Sequence, residues 1–203
     1  MRIIAGSSKG KGLLSPTGKT RPTSDRAREG LFSSLESEFG SMSELNFLDL
    51  YSGSGAVGVE ALSRGAANVY SVEDHAPTAS IASKNFALVN SASGKFTVLT
   101  SSAERFVGTP HQLAFDIIFM DPPYDVANDV IEKLLSDICT NNLLKRNGIV
   151  AIERETKKAQ FTWPAPFIAE KVRSYGQGSI FYGGYSASVL PRIASSALDH
   201  LIP

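Results

Sequence analysis

The sequence has very little of what a metal centre, a disulfide scaffold or a membrane span requires. It contains one cysteine, Cys139, and three histidines among 203 residues. An internal disulfide is therefore excluded, and a metal site rich in cysteine or histidine is not expected. Its apolar runs are far shorter than a transmembrane helix, and the first residues lack the apolar stretch of a signal peptide. Together with the reducing environment that a lone cysteine suggests, these absences predict a cytoplasmic protein that uses no metal and no membrane.

Net charge is also absent, because 20 basic residues balance 20 acidic ones. The balance is uneven along the chain. Residues 1–30 hold seven basic and two acidic residues, a net charge of +5, so the rest of the chain has a net charge of −5. A basic segment on an acidic body predicts phosphate contacts at one end of the molecule, and a solvated loop is the alternative. The basic residues of this segment are Arg2, Lys9, Lys11, Lys19, Arg21, Arg26 and Arg28.

Apolar segments alternate with helical patterns through most of the chain, which predicts a parallel sheet with helices on both faces. The predicted strands are 46–51, 69–73, 96–100, 115–121 and 148–153, and the predicted helices are 56–64, 77–89, 102–107 and 127–137. Two more strands, 169–174 and 179–185, predict a closing hairpin. Residues 2–6 and 12–15 predict a short N-terminal β-hairpin. Thr23 or Ser24 is expected to cap a helix whose apolar face is Ala27, Leu31, Leu35 and Phe39.

The four residues Asp121-Pro122-Pro123-Tyr124 directly follow a buried-strand pattern. They therefore lie at the carboxyl end of a central strand, where open α/β sheets bind ligands. Asp121 and the Pro122 carbonyl can each accept one N–H bond of an exocyclic amine. Pro123 restrains the backbone, and Tyr124 offers a face for ring stacking. The motif indicates a site for a planar ring that bears an amine; a capped strand end with a packing tyrosine is the alternative.

A glycine-rich turn follows the first predicted strand, and a helical pattern follows the turn. Gly53 and Gly55 allow the backbone to turn tightly near a ligand, and Gly58 permits close packing of the helix. Glu73 closes the second strand 18 residues past Gly55. A carboxylate at this position can bind both hydroxyls of a ribose. Strand, turn, helix and acid together predict a nucleoside cofactor.

Asp49, on the strand before the glycines, bears on which nucleoside is bound. A carboxylate here would repel the pyrophosphate of a dinucleotide, whereas it favours the ammonium group of a methionine moiety. S-adenosylmethionine carries that ammonium and a cationic sulfur, and it has no phosphate. The residues therefore favour S-adenosylmethionine over a nicotinamide dinucleotide. Asp49 can also bind amides of the glycine turn, which is compatible with the same role.

In these motifs the chain resembles the RsmD-type guanine-N2 methyltransferases of small-subunit rRNA, within the class I S-adenosylmethionine-dependent superfamily. The matching segments cover nearly the whole chain to about Tyr185, and they are 2–6, 20–29, 49–61, 121–124 and 170–172. The resemblance implies a Rossmann-like α/β fold with a seven-stranded, mostly parallel sheet, a C-terminal antiparallel hairpin and a small N-terminal extension. It implies methylation of the exocyclic N2 amine of a guanine in 16S rRNA, either free or in the small ribosomal particle.

The resemblance also implies a division of the chain and a set of roles. Residues 1–40 would contact RNA, 41–185 would form the catalytic domain, and 186–203 form a tail of unknown role, in a protein expected to be a monomer. Ser102 and Ala103 follow the third strand, where this class contacts the adenine, although Ser102 can simply cap a helix. The implied catalytic residues are Asp121, Pro122 and Tyr124; the cofactor-binding ones are Asp49, Gly53, Gly55, Gly58, Glu73, Ser102 and Ala103; those for RNA are Lys9, Lys11, Lys19, Arg21, Arg26 and Arg28.

Other functions are compatible with parts of this pattern. The motif at 121–124 serves more than one base amine, so an adenine-N6 methyltransferase acting on DNA or RNA is the main alternative. A DNA enzyme would usually carry a further target-recognition segment, for which 203 residues leave little room. A protein-glutamine methyltransferase would be expected to have Asn in place of Asp121. Asp49 argues against an oxidoreductase, and the intact motifs argue against an RNA-binding module without catalysis.

Overall fold

Five helices and seven strands make up the part of the chain that the computed structural model describes, residues 1–16, 24–90, 94–156 and 161–186. The helices are α1 (Asp25–Phe39), α2 (Ala56–Ser63), α3 (Ala76–Phe86), α4 (Ala103–Val107) and α5 (Asn128–Thr140). The strands are β1 (Asn46–Leu50), β2 (Asn68–Glu73), β3 (Lys95–Thr100), β4 (Phe115–Met120), β5 (Leu144–Glu155), β6 (Phe167–Tyr175) and β7 (Gly178–Tyr185).

All seven strands belong to one sheet, in the order β3-β2-β1-β4-β5-β7-β6. Strands β1 to β5 are parallel, and β7 is inserted antiparallel between β5 and β6. The predicted parallel sheet and closing hairpin are confirmed. Strand β1 pairs with β2 on one side and with β4 on the other. The strands are thus added in one direction from β1 to β3 and in the opposite direction from β4 onward, so the strand order reverses between β1 and β4. Such a switch point opens a crevice at the carboxyl ends of the two strands.

Apolar side chains fill both faces of the sheet, because successive residues of a strand point to opposite sides. Phe47 and Phe119 lie in the core that also contains buried residues of α1, α2 and α3. Leu48 and Met120 lie in the second core, with buried residues of α4 and α5. The helices therefore cover both faces, as the alternation of strands and helices predicts. No helix in the described ranges is long and apolar enough to cross a membrane.

Three predicted boundaries differ from the structure by three residues or more: the start of β5, the end of α3, and the end of α5, which continues to Thr140 rather than ending at residue 137. Strand β5 begins at Leu144 rather than at residue 148, because Leu144 already pairs with Phe115 of β4. The exposed residues 145–147 then lie in an irregular stretch, where the register shifts before Ile149 pairs with Ile117. Helix α3 ends at Phe86, although the apolar pattern continues to Val89. Leu88 and Val89 follow in a turn and pack against the core from there. The apolar pattern thus predicts correctly which residues pack against the core, but it does not mark where the helix ends.

The N-terminal hairpin is reduced to one bridge between Arg2 and Gly12. The Ile3 amide donates to the Lys11 carbonyl at 2.9 Å, and this segment is fastened to α2 instead of forming a longer ladder. The Glu60 carboxylate of α2 accepts the amides of Ile4, at 2.8 Å, and Ala5, at 2.9 Å. Buried Glu60 therefore supplies acceptors that a regular second strand would otherwise provide.

Helix α1 is part of the main core. Ser24 caps it by accepting the Ala27 amide at 3.1 Å, which confirms one of the two predicted caps. Leu31 and Phe32 are fully buried, and the Phe32 ring stacks on Phe47 of β1 with centroids 6.0 Å apart. The described part of residues 1–40, the predicted N-terminal extension, shares one hydrophobic core with the sheet. Its role as a separate RNA-contacting unit stays a prediction. The predicted tail lies outside the described residues from position 187 onward.

Candidate functional site

A cavity of about 750 Å³ opens at the carboxyl ends of β1, β2 and β4, at the switch point of the sheet. Its volume is in the range of small-molecule and cofactor sites. Both predicted halves of the site contribute to its wall, from segments 51–57, 72–78, 101–104 and 121–126. The predicted site residues on the wall are Gly53, Glu73, Ser102, Ala103, Asp121, Pro122 and Tyr124.

Glu73 ties the glycine turn to the end of β2. Its carboxylate accepts the Gly53 amide at 2.9 Å and the His75 amide at 3.1 Å. Gly53 and Gly55 have φ angles of 53° and 74°, in the left-handed region that glycine adopts at low cost. Burial raises the pKa of Glu73, although both amide hydrogen bonds act in the opposite direction. The spacing from the glycines predicts that Glu73 lies beside a ribose. It does not predict that the Glu73 carboxylate also holds the glycine turn in place.

Asp49 lies behind the cavity wall. It is 1% exposed, and its carboxylate accepts the Gly58 amide at 2.9 Å. Burial raises the pKa of Asp49 to about 8, and the nearby charges of Asp121 and Glu73 add to this shift. The structure therefore places Asp49 as a support of the first turn of α2, which directly follows the glycine turn. Its predicted contact with a cofactor stays a prediction.

Gly55 and Gly58 also lie behind the wall, where they allow close packing. A Cβ atom at Gly58 would come within 2.8 Å of the Phe86 ring and 3.2 Å of the Asp49 carboxylate. One at Gly55 would lie 3.0 Å from the same ring. The packing role predicted for Gly58 fits this geometry, and it extends to Gly55. Any larger residue at either position would push α3 away from the turn.

Ser102 lies on the cavity wall and is also the N-cap of α4. Its hydroxyl accepts the Arg105 amide at 3.2 Å, which is the capping role named as the alternative. Ala103, the first residue of α4, is buried and lines the same part of the cavity. The adenine contact implied for both residues stays a prediction.

Arg154 of β5 supports the loop that contains the 121–124 motif, and sequence reasoning missed it. This arginine is 2% exposed. Its guanidinium donates to the Pro123 carbonyl at 3.1 Å and to the Val126 carbonyl at 2.6 Å. Burial lowers the pKa of Arg154. The sequence does show a basic residue at the end of an apolar strand, and this could have indicated a buried arginine. The neighbouring residues do not show which carbonyl groups the guanidinium would reach.

The described wall of the cavity is acidic. Its charged residues are Glu73, Asp74, Glu104, Asp121 and Glu153, and no lysine or arginine lines it within the described ranges. Tyr51, also unpredicted, donates its hydroxyl hydrogen bond to Glu104 at 2.7 Å. Such a wall repels a pyrophosphate and suits a ligand that carries an ammonium and a sulfonium. The described residues contain no group of three histidine, cysteine or acidic side chains that could hold a metal.

The basic residues predicted to bind RNA differ in their surroundings. Lys9 and Arg26 are exposed. Lys11 is half-buried, and its ammonium donates to the Leu88 carbonyl at 2.7 Å. Lys19 and Arg21 lie outside the described residues.

Arg28 does not fit the predicted RNA contact, because it is fully buried. Its guanidinium donates to the Arg2 carbonyl and to Asp25, at 2.9 Å from the carboxylate. Glu60 approaches it at 3.9 Å. Burial lowers the pKa of Arg28 in spite of these two acids. The arginine joins the N-terminal segment to α1 and α2, which is an internal structural role.

The sheet order, the glycine turn and the acidic cavity, together with relatives that are named as methyltransferases, make this chain a class I S-adenosylmethionine-dependent methyltransferase. The chain belongs to the family described as "Conserved hypothetical protein 95", whose family model matches residues 1–183. Membership of this RsmD-type family confirms the resemblance predicted from the motifs.

Two relatives show how closely the chain matches. It is 36% identical to "Ribosomal RNA small subunit methyltransferase D" of Haemophilus influenzae, over 80% of this chain and 82% of that protein. It is 33% identical to the protein of the same name from Escherichia coli K12, over 87% and 86%. The solved structure described as "Putative methyltransferase yhhF from Escherichia coli" superposes with a TM-score of 0.77 at 29% identity, covering 92% of this chain and 98% of that chain.

Proposed function

We propose that this protein transfers a methyl group from S-adenosylmethionine to the exocyclic N2 amine of a guanine in small-subunit (16S) rRNA. One observation carries this proposal: the Asp121-Pro122-Pro123-Tyr124 motif and the glycine turn open into the same acidic cavity. A donor site and an acceptor site in one cavity are what direct transfer between two bound molecules needs. The names of the relatives support rRNA as the class of acceptor.

The cofactor half of the cavity is formed by the ends of β1, β2 and β3. Gly53 brings the backbone close to the ligand, and Glu73 is placed to accept hydrogen bonds from ribose hydroxyls. Ser102 and Ala103 border the place of the adenine. When bound, S-adenosylmethionine supplies an electrophilic methyl group on a cationic sulfur. The acidic wall favours that cation.

The acceptor half is formed by the end of β4. The lone pair of a guanine N2 amine is delocalised into the ring, so the amine is a poor nucleophile until it is oriented. Asp121 and the Pro122 carbonyl accept its two N–H bonds, and the Tyr124 ring stacks on the base. These contacts direct the nitrogen towards the methyl group and offset the positive charge that develops on it. Asp121 need not be a strong base, because the alkylated amine is a strong acid.

The RNA would approach along the N-terminal segment. Ser15, Pro16 and Ser24 border the cavity, and Lys9 and Arg26 are exposed in the same segment of the chain. Exposed cations of this kind bind phosphates without reading sequence, whereas the cavity reads the base. The target guanine must leave its stacked context to enter. The cytoplasm remains the expected location, since an rRNA substrate is found there.

The test is methylation of purified small-subunit rRNA and of assembled small subunits, both from a strain that lacks the enzyme. Mass analysis of the nucleosides identifies the product after incubation with the protein and S-adenosylmethionine. We expect N2-methylguanosine at one position. Formation of N6-methyladenosine would replace this proposal with the adenine alternative, and transfer to neither RNA would refute both.

A further inference from the structure

Glu153 lies beside Asp121 in the cavity. Strands β4 and β5 are parallel neighbours, and Met120 is the register partner of Ile152. The next residue in each case is an acid: Asp121 directly follows the end of β4, and Glu153 follows Ile152 within β5. Neighbouring strands lie about 4.8 Å apart, so the two backbone positions are adjacent.

Both carboxylates are directed to the same side of the sheet. Two residues earlier on each strand, Phe119 and Ala151 are register partners and lie in the core shared with α1. Because side chains alternate along a strand, Asp121 and Glu153 continue on that face. Both border the cavity, and Glu153 is only 9% exposed. A pair of acids thus faces the acceptor half, although the proposed transfer uses only one of them.

The neighbouring strand β7 leaves room for the Glu153 side chain. Gly178 begins that strand, and a Cβ atom at this position would lie 3.3 Å from the Glu153 carboxylate. Glu153 itself pairs with Ile180, in the middle of the antiparallel ladder. Its backbone is therefore held by the ladder to β7, one residue after the last register pair with β4, Met120–Ile152, and this is the rigid placement that recognition of a planar base requires.

A base presents a pattern of donors and acceptors that two adjacent carboxylates can read. Guanine has two donors side by side, the N1–H group and the N2 amine. Adenine has an amine beside the N1 lone pair, which is an acceptor. A carboxylate accepts hydrogen bonds and cannot donate them when ionised. An acid beside the amine-holding Asp121 therefore matches guanine and repels adenine.

We infer that Glu153 accepts the N1–H bond of the target guanine and so selects guanine over adenine. This inference rests on the proposed function, since it assigns the specificity of the same acceptor site. Asp121 holds the amine that reacts, and Glu153 identifies the base that carries it. The motif at 121–124 is shared by enzymes acting on different base amines, so the choice of base must come from a residue outside it.

The test uses Glu153→Gln and a base that lacks the N1–H donor. The position methylated by the wild type is first mapped, and short RNAs are made with guanine or 2-aminopurine at that position. 2-Aminopurine keeps the amine at position 2 but presents a lone pair at N1. A hydrogen bond to a charged group supports a preference for guanine of roughly 10- to 100-fold in kcat/KM for the wild type.

In Glu153→Gln the side-chain amide can donate to the N1 lone pair, so the preference for guanine should fall by about ten-fold or more. Glu155→Gln is the matched control, because Glu155 lies on the same strand and face but does not border the cavity. It should keep the wild-type preference. Calorimetric titration with S-adenosylhomocysteine checks that each variant folds and binds the cofactor product.

An unchanged preference in a folded Glu153→Gln variant would overturn the inference. Should that variant not fold, the wild type alone decides, because equal use of guanine and 2-aminopurine is incompatible with an N1–H contact. The proposed function fails separately. In that case the wild type forms no N2-methylguanosine on small-subunit rRNA, whereas failure of the Glu153 role leaves that product intact.

Discussion

The Arg154 guanidinium donates to the carbonyl of Pro123 at 3.1 Å, and it thereby joins β5 to the loop that contains the 121–124 motif. A second hydrogen bond, to the Val126 carbonyl, holds the far end of the same loop at 2.6 Å. Arg154 directly follows Glu153, so these successive residues of β5 point to opposite faces of the sheet. Arg154 fixes the loop, and Glu153 borders the cavity that the loop closes.

Replacing Arg154 by Met should slow methyl transfer while leaving cofactor binding intact. The loop would lose both carbonyl contacts, and a displacement of about 1 Å at the reacting groups costs roughly 10²-fold in rate. Arg154→Lys should recover part of the rate, because an ammonium can still reach one carbonyl. Single-turnover kinetics and calorimetry with S-adenosylhomocysteine measure the two effects. Arg146→Met, at an exposed position of the same strand, is the control. A wild-type rate in Arg154→Met would rule out the positioning role.

Asp121→Ala should slow methyl transfer by roughly 10²- to 10³-fold, with cofactor affinity within a few-fold of wild type. In the proposed function Asp121 holds the acceptor amine, and loss of one such electrostatic contact costs roughly 10²–10³ in rate. The comparison is with Asp125→Ala, an exposed acid in the same loop. Initial rates on small-subunit rRNA and binding of S-adenosylhomocysteine give the two quantities. Turnover close to that of the wild type would remove Asp121 from the mechanism.

Asp49 should make stability depend on pH in an unusual direction. Burial raises the pKa of Asp49 to about 8, whereas an aspartate in an unfolded chain titrates near 3.9. Between about pH 4 and pH 8 the native state therefore retains a proton that the unfolded state has released. The contribution of Asp49 is fully present below the unfolded pKa and is lost as the pH rises through the folded pKa.

Asp49→Asn should flatten this profile, because an amide side chain does not titrate and its oxygen can still accept the Gly58 amide. Urea unfolding of both proteins at a series of pH values gives the free energy of unfolding. Asp129→Asn, at an exposed position of α5, should follow the wild-type curve. Parallel curves for the wild type and Asp49→Asn would show that Asp49 titrates normally.

The lysines of the N-terminal segment should separate into two kinds. Lys9 is exposed, so Lys9→Ala should weaken RNA binding and reduce the slope of log K against log salt by about 0.7–0.9. Lys11 donates to the Leu88 carbonyl, so Lys11→Ala should lower stability more than it changes the salt slope. Filter binding at several salt concentrations measures both slopes. Lys133→Ala, whose lysine pairs with Asp137 on α5, is the control. A slope unchanged by Lys9→Ala would show that this lysine does not contact phosphate.

Much of the fold and half of the site depend on local sequence. The glycine turn needs residues that tolerate positive φ, and both Gly53 and Gly55 adopt it in the structure. The 121–124 motif is placed by the apolar strand before it, and it lies at the predicted edge of the sheet. The alternation of apolar strands with helical segments likewise predicts a parallel sheet, because the connections between such strands are short and right-handed. Each of these features is determined within a few residues, so the sequence by itself determines it.

Only the tertiary structure decided the contacts between residues that are far apart in the chain. An arginine in a basic segment is typical of an RNA contact. Arg28 is nevertheless buried beside Glu60, because α1 packs against α2. Arg154 and Glu153 enter the site because β5 pairs with β4 in one register, and a shift by one residue would exchange their faces. Strand register results from the packing of both cores together, and no local pattern encodes it. The sequence therefore determined the class of chemistry, and the fold decided which distant side chains support it.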